Sequence, residues 1–134
     1  NFIKKCLNIR KTISLFSMVK GFVLASGKAN VYIRMHIVDE NAWDIAPFEL
    51  FLKNCGGIIT LGNGNQIEYT QNGKIKGSAN AGIVCTIGGV EWHRKVLKAY
   101  RNCIYVFALF KFFAYGVPLL IFLALIYYFY HLNL

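Results

Sequence analysis

From Val31 to Ile37 apolar and polar side chains alternate, with Val31, Ile33, Met35 and Ile37 set against Tyr32, Arg34 and His36. A period of two predicts a half-buried strand. It follows a short apolar run, Phe22 to Ala25, ended by Gly27. Beyond the polar loop Asp39-Glu40-Asn41 the period changes: Ile45, Phe48, Leu52 and Cys55 recur at helical spacing. The pattern predicts a helix opened by Asp44 as N-cap and closed by Gly56 or Gly57 in a left-handed C-cap. Pro47 then falls near the third helical position, where no intrahelical donor is required. Glu49 and Lys53 form an i,i+4 pair on the face away from the apolar one.

Ile58 to Leu61 and Gln66 to Thr70 flank Gly62-Asn63-Gly64-Asn65, whose Asn-Gly pair predicts a hairpin with these two segments as antiparallel neighbours. The polar stretch Gln71 to Asn80 is expected to be an exposed loop, and Ala81 to Ile87 a compact apolar strand broken by Gly88-Gly89. Glu91 to Arg101 has helical composition, with Trp92, Val96, Ala99 and Cys103 along one side. The order strand, helix, hairpin, strand, helix predicts layered α/β architecture.

Phe112 to Tyr130 is a run of nineteen uncharged, mostly apolar residues, close to the ~20 that span a bilayer as a helix. Gly116 and Pro118 are tolerated in such a span, Lys111 can snorkel, and Tyr127, Tyr128 and Tyr130 can form an interfacial belt. The alternative is a buried hairpin of core helices. Arg94, Lys95, Lys98 and Arg101 precede the run, so the positive-inside rule places residues 1–103 on the cytoplasmic side.

Charge divides the 134 residues further: the net +9 is carried almost wholly before residue 104, and Lys4, Lys5, Arg10, Lys11 and Lys20 fall in the first twenty positions with no acid. This gives a basic segment 1–16 of undefined structure, an α/β region 17–103 and an apolar tail 104–134. Phe, Leu, Ile, Tyr, Lys and Asn dominate both end segments, as translated A/T-rich noncoding DNA also would. No zinc-finger spacing, recognition helix or aromatic-basic RNA signature accompanies the charge, so anionic small molecules or a membrane surface are expected as partners rather than a nucleic-acid polymer. Cys6, Cys55, Cys85 and Cys103 show no C-x-x-C spacing, and His36, His93 and His131 have no partner at ligand spacing. Zinc, redox and nucleophilic catalysis therefore lack support. Asp44, a carboxylate at the mouth of an apolar helix, suits either capping or metal binding.

Gly27-Lys28-Ala29-Asn30-Val31-Tyr32, Trp43-Asp44-Ile45-Ala46 and Cys55-Gly56-Gly57-Ile58-Ile59-Thr60, in this order, resemble the C-terminal half of the inositol monophosphatase family. The likeness is nearer to the 3′(2′),5′-bisphosphate nucleotidase branch, particularly its Golgi-resident membrane form. Tyr32-Ile33-Arg34 ahead of Trp-Asp, and Ile67-Glu68-Tyr69-Thr70 after the hairpin, carry that preference. The resemblance covers roughly residues 17–100. It implies the C-terminal α/β subdomain of the layered sugar-phosphatase fold, magnesium-dependent hydrolysis of a phosphorylated small molecule, and an endomembrane location such as the Golgi. The substrate it implies is 3′-phosphoadenosine 5′-phosphate or an inositol phosphate. Asp44 would be a Mg2+ ligand, Lys20 would lie near bound phosphate, and Glu49 would match an acidic helix position by the substrate.

The chain departs from the family pattern. The glycines usual before the lysine are absent, Pro47 replaces a small residue, and neither the Asp-Pro-Ile/Leu-Asp-Gly-Thr loop nor the earlier Glu-Glu pair occurs. These supply most of the metal ligands, so no catalytic residue is assigned. The chain reads as the C-terminal portion of a phosphomonoesterase, inactive alone. The alternative is a membrane-anchored binding or scaffold protein without catalysis; a homodimer is compatible with both.

Overall fold

In the computed structural model the described residues are 2–15, 19–35 and 38–132, with side chains described from Lys4 through Tyr127. His36 and Ile37, the end of the alternating segment assigned above to a strand, lie outside them, as do the residues just before Val19 and Lys20. The chain divides into two units, Asn1–Arg101 and Asn102–Leu134.

In the first unit, helices α1 (Phe2–Cys6) and α2 (Val19–Ala25) precede strand β1 (Val31–Arg34), helix α3 (Ala42–Asn54), strand β2 (Ile58–Leu61), the one-turn helix α4 (Ser78–Ala81), strand β3 (Ile83–Thr86) and the start of α5 (Val90–Lys111). The sheet order is β1-β3-β2, and both outer strands run antiparallel to β3. Every residue of β3 is buried, which suits an uninterrupted apolar strand covered on both faces.

Register assigns the faces. Tyr32, Cys85 and Ile59 form one row and Arg34, Ile83 and Leu61 the next. Cys85, Ile59, Ile83 and Leu61 join Leu24 of α2 and Ile45, Phe48 and Leu52 of α3 in the core, with Tyr32 packed against it. The intervening residues Thr60 and Thr86 meet His93 of α5 on the opposite face. The expected α/β layering is therefore present, as helix, sheet, helix.

Several elements differ from the sequence pattern. β1 ends at Arg34 and all four of its residues are half-buried; Tyr32 reaches the core through an edge contact with Phe48, ring centroids 6.1 Å apart. The Gly62–Asn65 turn forms, with the Leu61 amide donating to the Asn65 carbonyl at 2.9 Å, but β2 pairs only with β3. Residues 66–70 instead fold against Lys74–Lys76 around the second Asn-Gly pair, Asn72-Gly73: Thr70 N–H donates to Lys74 O at 2.8 Å and Lys76 N–H to Glu68 O at 3.0 Å. The stretch expected as an exposed loop is thereby anchored, with Ile75 and Ser78 fully buried.

α3 also starts earlier than expected. Asn41, not Asp44, is its N-cap residue, so Pro47 lies in the helix interior and withholds one backbone donor. The C-terminus behaves as the pattern predicts. Gly56, at φ +75°, donates to Lys53 O at 3.0 Å, and Gly57 donates to Leu52 O at 2.9 Å. Together these form a Schellman closure.

His93 ties α5 to the sheet. Thr60 donates its hydroxyl proton to Leu61 O at 2.8 Å, so it accepts from His93 Nε2 at 3.0 Å, leaving Nδ1 to accept from Thr86 at 2.8 Å. This network suits the neutral ring, and burial holds its pKa below the ordinary value. The folded state then binds fewer protons than the unfolded one below the unfolded pKa of about 6.5. Stability is fully present above that pH and declines as pH falls toward the lowered folded value. The denaturation midpoint should drop between pH 7.5 and 5, and His93→Gln should flatten that dependence. An unchanged slope in the variant would assign the acid sensitivity to other groups.

In the second unit, α5 continues to Lys111, a π-helical turn covers Phe112–Gly116, and α6 runs Val117–Leu132. Pro118 crowds the carbonyl four residues earlier, Ala114, which lies inside the π-turn, a known way to absorb such a conflict. The helical stretch Val90–Tyr127 contains a window long and apolar enough to cross a membrane, none of it buried. Among the described residues the tail is helical through Leu132, with no interrupting turn.

Candidate functional site

Asp44 occupies the third position of α3, half-buried, inside a network joining three chain segments. Asn41 forms a bridge with Lys74, and Lys74 Nζ donates to Asn41 Oδ1 at 2.5 Å. The Ala42 amide donates to Gly73 O at 2.8 Å, so the Asn72-Gly73 turn seats on the helix mouth. Asn41 Nδ2 makes a long 3.5 Å contact with Asp44 Oδ2. The carboxylate therefore does not cap the helix; it sits in the first turn, where the helix dipole favours negative charge.

The neighbouring acids have structural roles. Glu40, buried, pairs with Arg34 at 2.6 Å, and Asp39 accepts from the Ala79 amide of α4 at 2.8 Å and from Ser78 Oγ at 3.2 Å. Among the described residues no three His, Cys, Asp or Glu side chains stand close enough to hold a metal ion. Mg2+ demands near-octahedral oxygen ligation, and one carboxylate offers at most two of those oxygens. These residues by themselves do not fit a resident magnesium.

Glu49 is buried rather than turned outward. It accepts from the Tyr69 hydroxyl and pairs with Lys53 Nζ at 2.6 Å, so both oxygens are engaged. Burial, aided by the Glu49 charge, raises the Tyr69 pKa, and the same two causes raise that of the Cys85 thiol. Lys20 lies elsewhere, its Nζ 5.6 Å from the Tyr32 ring centroid, in a cavity whose described lining includes neither Asp44 nor Glu49. The three candidate residues are not brought together. Lys74 and Asn41 are the groups that sequence reasoning missed beside Asp44; the Asn72-Gly73 turn was their one local signal.

A Trp-Asp pair opening a helix that ends in Gly-Gly is thus built into an α/β layer. The inositol monophosphatase family model matches residues 3–104. The chain belongs to the inositol monophosphatase family. The match takes in most of the first sixteen residues, which composition alone had set apart. Curated relatives include the 3′,5′-bisphosphate nucleotidase AHL of Arabidopsis thaliana, 26% identical over 96 residues, covering 69% of this chain and 25% of the relative. The 3′(2′),5′-bisphosphate nucleotidase of Dictyostelium discoideum is 30% identical over 76 residues, covering 55% of this chain and 22% of the relative. The chain spans about a quarter of the length of these relatives. Family and relatives agree on a phosphatase lineage, and the family is generally metal-dependent.

Proposed function

We propose that this chain supplies the Asp44-bearing part of a magnesium-dependent phosphomonoesterase site and does not complete that site by itself. The observation that carries the reading is Asp44 in the opening turn of α3 within a region matching the family from residue 3 to 104. Asp44 would contribute one hard oxygen ligand, with further ligands from chain outside these residues. The names of the two relatives favour 3′-phosphoadenosine 5′-phosphate as substrate over an inositol phosphate. A second reading, binding without turnover, is favoured by the lack of a metal-ligand cluster among the described residues.

The test is phosphate release from 3′-phosphoadenosine 5′-phosphate by the full chain in neutral detergent with magnesium. No release above background is expected. Chelator-sensitive turnover by the chain alone would contradict an incomplete site.

We also propose that residues 112–130 anchor the chain in an endomembrane, Golgi membrane being one candidate. The length and exposure of the apolar helix support this. After carbonate extraction the full chain should stay in the membrane pellet. Complete recovery in the soluble fraction would overturn the anchor.

A further inference from the structure

The side of α5 opposite His93 is basic. Arg94, Lys95, Lys98 and Arg101 are exposed there, whereas Val96, Leu97, Ala99 and Tyr100 are buried with His93. At about 100° per residue the four cations fall within an arc of roughly 120°, so they share one face of the helix. All six acids of the chain lie at or before Glu91. Arg94 pairs with Glu91 at 2.5 Å, but among the described residues Lys95, Lys98 and Arg101 meet no carboxylate. Lys95 Nζ stands 5.9 Å from the Trp92 ring centroid and Arg101 Nε donates to Leu97 O at 3.3 Å, contacts that leave both charges unneutralised. Lys98 has a cation three residues before it, four before it and three after it, spacings at which like charges destabilise a helix. An anionic surface removes that cost.

Beyond Arg101 the sequence turns apolar, and Tyr105, Val106, Phe107, Leu109 and Phe110 are all exposed. Lys111 is the one Lys, Arg, Asp or Glu after Arg101. Its Nζ turns back over the Phe107 ring, 4.9 Å from the centroid, the direction in which it would snorkel to a bilayer surface on the N-terminal side of the tail. We propose that the basic face of α5 docks on the anionic lipid of a bilayer surface, phosphatidylserine of a cytoplasmic leaflet. The inference rests on the anchor proposed for residues 112–130. Anchoring keeps the face at the surface, so attractions that are weak one by one act together on lipids free to gather beneath them.

The test uses the full chain carrying Trp43→Phe, which leaves Trp92 of α5 as the sole indole. It is reconstituted into phosphatidylcholine vesicles with a trace of dansyl-labelled phosphatidylserine or, in parallel, of dansyl-labelled phosphatidylcholine. Energy transfer from Trp92 to the labelled phosphatidylserine should exceed that to the neutral lipid about twofold or more. The ratio should approach one at about 1 M salt. Lys95→Glu combined with Lys98→Glu should abolish the preference while circular dichroism stays unchanged. Lys5→Glu combined with Lys11→Glu, the same charge change at other exposed positions, should leave it as it was. Equal transfer to the two lipids, indifference to the α5 reversals, or equal loss in the second pair would overturn the proposal. Displacement of the labelled lipid by soluble glycerophosphoserine would also do so, because the face would then be a site for a free anion. Flotation separates the two readings. A chain that floats with phosphatidylcholine vesicles yet shows no preference keeps the anchor and loses the lipid face. One that floats only when phosphatidylserine is present keeps the face and loses the anchor.

Discussion

Gly82→Ala is expected to cost about 3–5 kcal/mol, enough to remove much of the 5–15 kcal/mol that holds a typical domain folded. Gly82 has φ +68° and ψ −179°, a region open essentially to glycine alone. A Cβ there would overlap the Tyr100 hydroxyl and lie 2.7 Å from the Arg34 carbonyl oxygen. Neither neighbour can retreat cheaply. Tyr100 is buried and donates to Ala81 O at 2.8 Å, and Arg34 is in the β1–β3 ladder. Gly82 itself accepts from the Gly62 amide at 3.0 Å and donates to Ser78 O at 2.8 Å, so a shift would spread into β2 and α4. Gly27→Ala is the control. It has a similar φ of +72° but nothing within 4 Å of a Cβ, so it should cost only about 1–2 kcal/mol of backbone strain. Denaturation followed by circular dichroism compares the two; equal midpoints would mean that crowding at Gly82 contributes nothing.

The parts of this fold legible in the sequence are those fixed by local pattern. Gly56-Gly57 closed α3 as its position foretold, the apolar strand expected over Ala81–Ile87 is β3 at Ile83–Thr86, shorter because Ala81 ends α4 and Gly82 follows it, and the uncharged tail read as one long helix. Features that depend on distant partners were not legible. α3 begins at Ala42 because Asn41 and Ala42 are held by Gly73 and Lys74, more than thirty positions away. The first Asn-Gly pair made its turn, yet its second arm was captured by the other Asn-Gly turn, a choice that local propensity does not decide. Ile75 and Ser78 are buried inside a polar stretch for the same reason. His93 had no visible partner because Thr60 and Thr86 come from two different strands.

The candidate site shows the same division. Asp44 was visible through the Trp-Asp pair and the helical period, although its role as a cap was not sustained. Glu49 was placed correctly opposite Lys53, but its burial under Tyr69 could not be read from helix spacing, since Tyr69 approaches from the second hairpin. Lys20 was visible only as a family counterpart, and the structure seats it over Tyr32, away from Asp44.

The most direct test of the central claim, that Asp44 is a metal ligand and not a structural cap, is Asp44→Asn in a chimera. In it this chain's matched residues replace their counterparts in the Dictyostelium relative. Magnesium-dependent phosphate release from 3′-phosphoadenosine 5′-phosphate is measured beside thermal stability. Because Asn41 is the N-cap residue, the substitution removes only a charge near the helix dipole, worth about 0.3–1 kcal/mol. Removing a charged hard ligand should lower kcat/KM on the order of a hundredfold or more. The account predicts a folded variant with this loss. A folded Asp44→Asn chimera that keeps its rate and its magnesium dependence would contradict it.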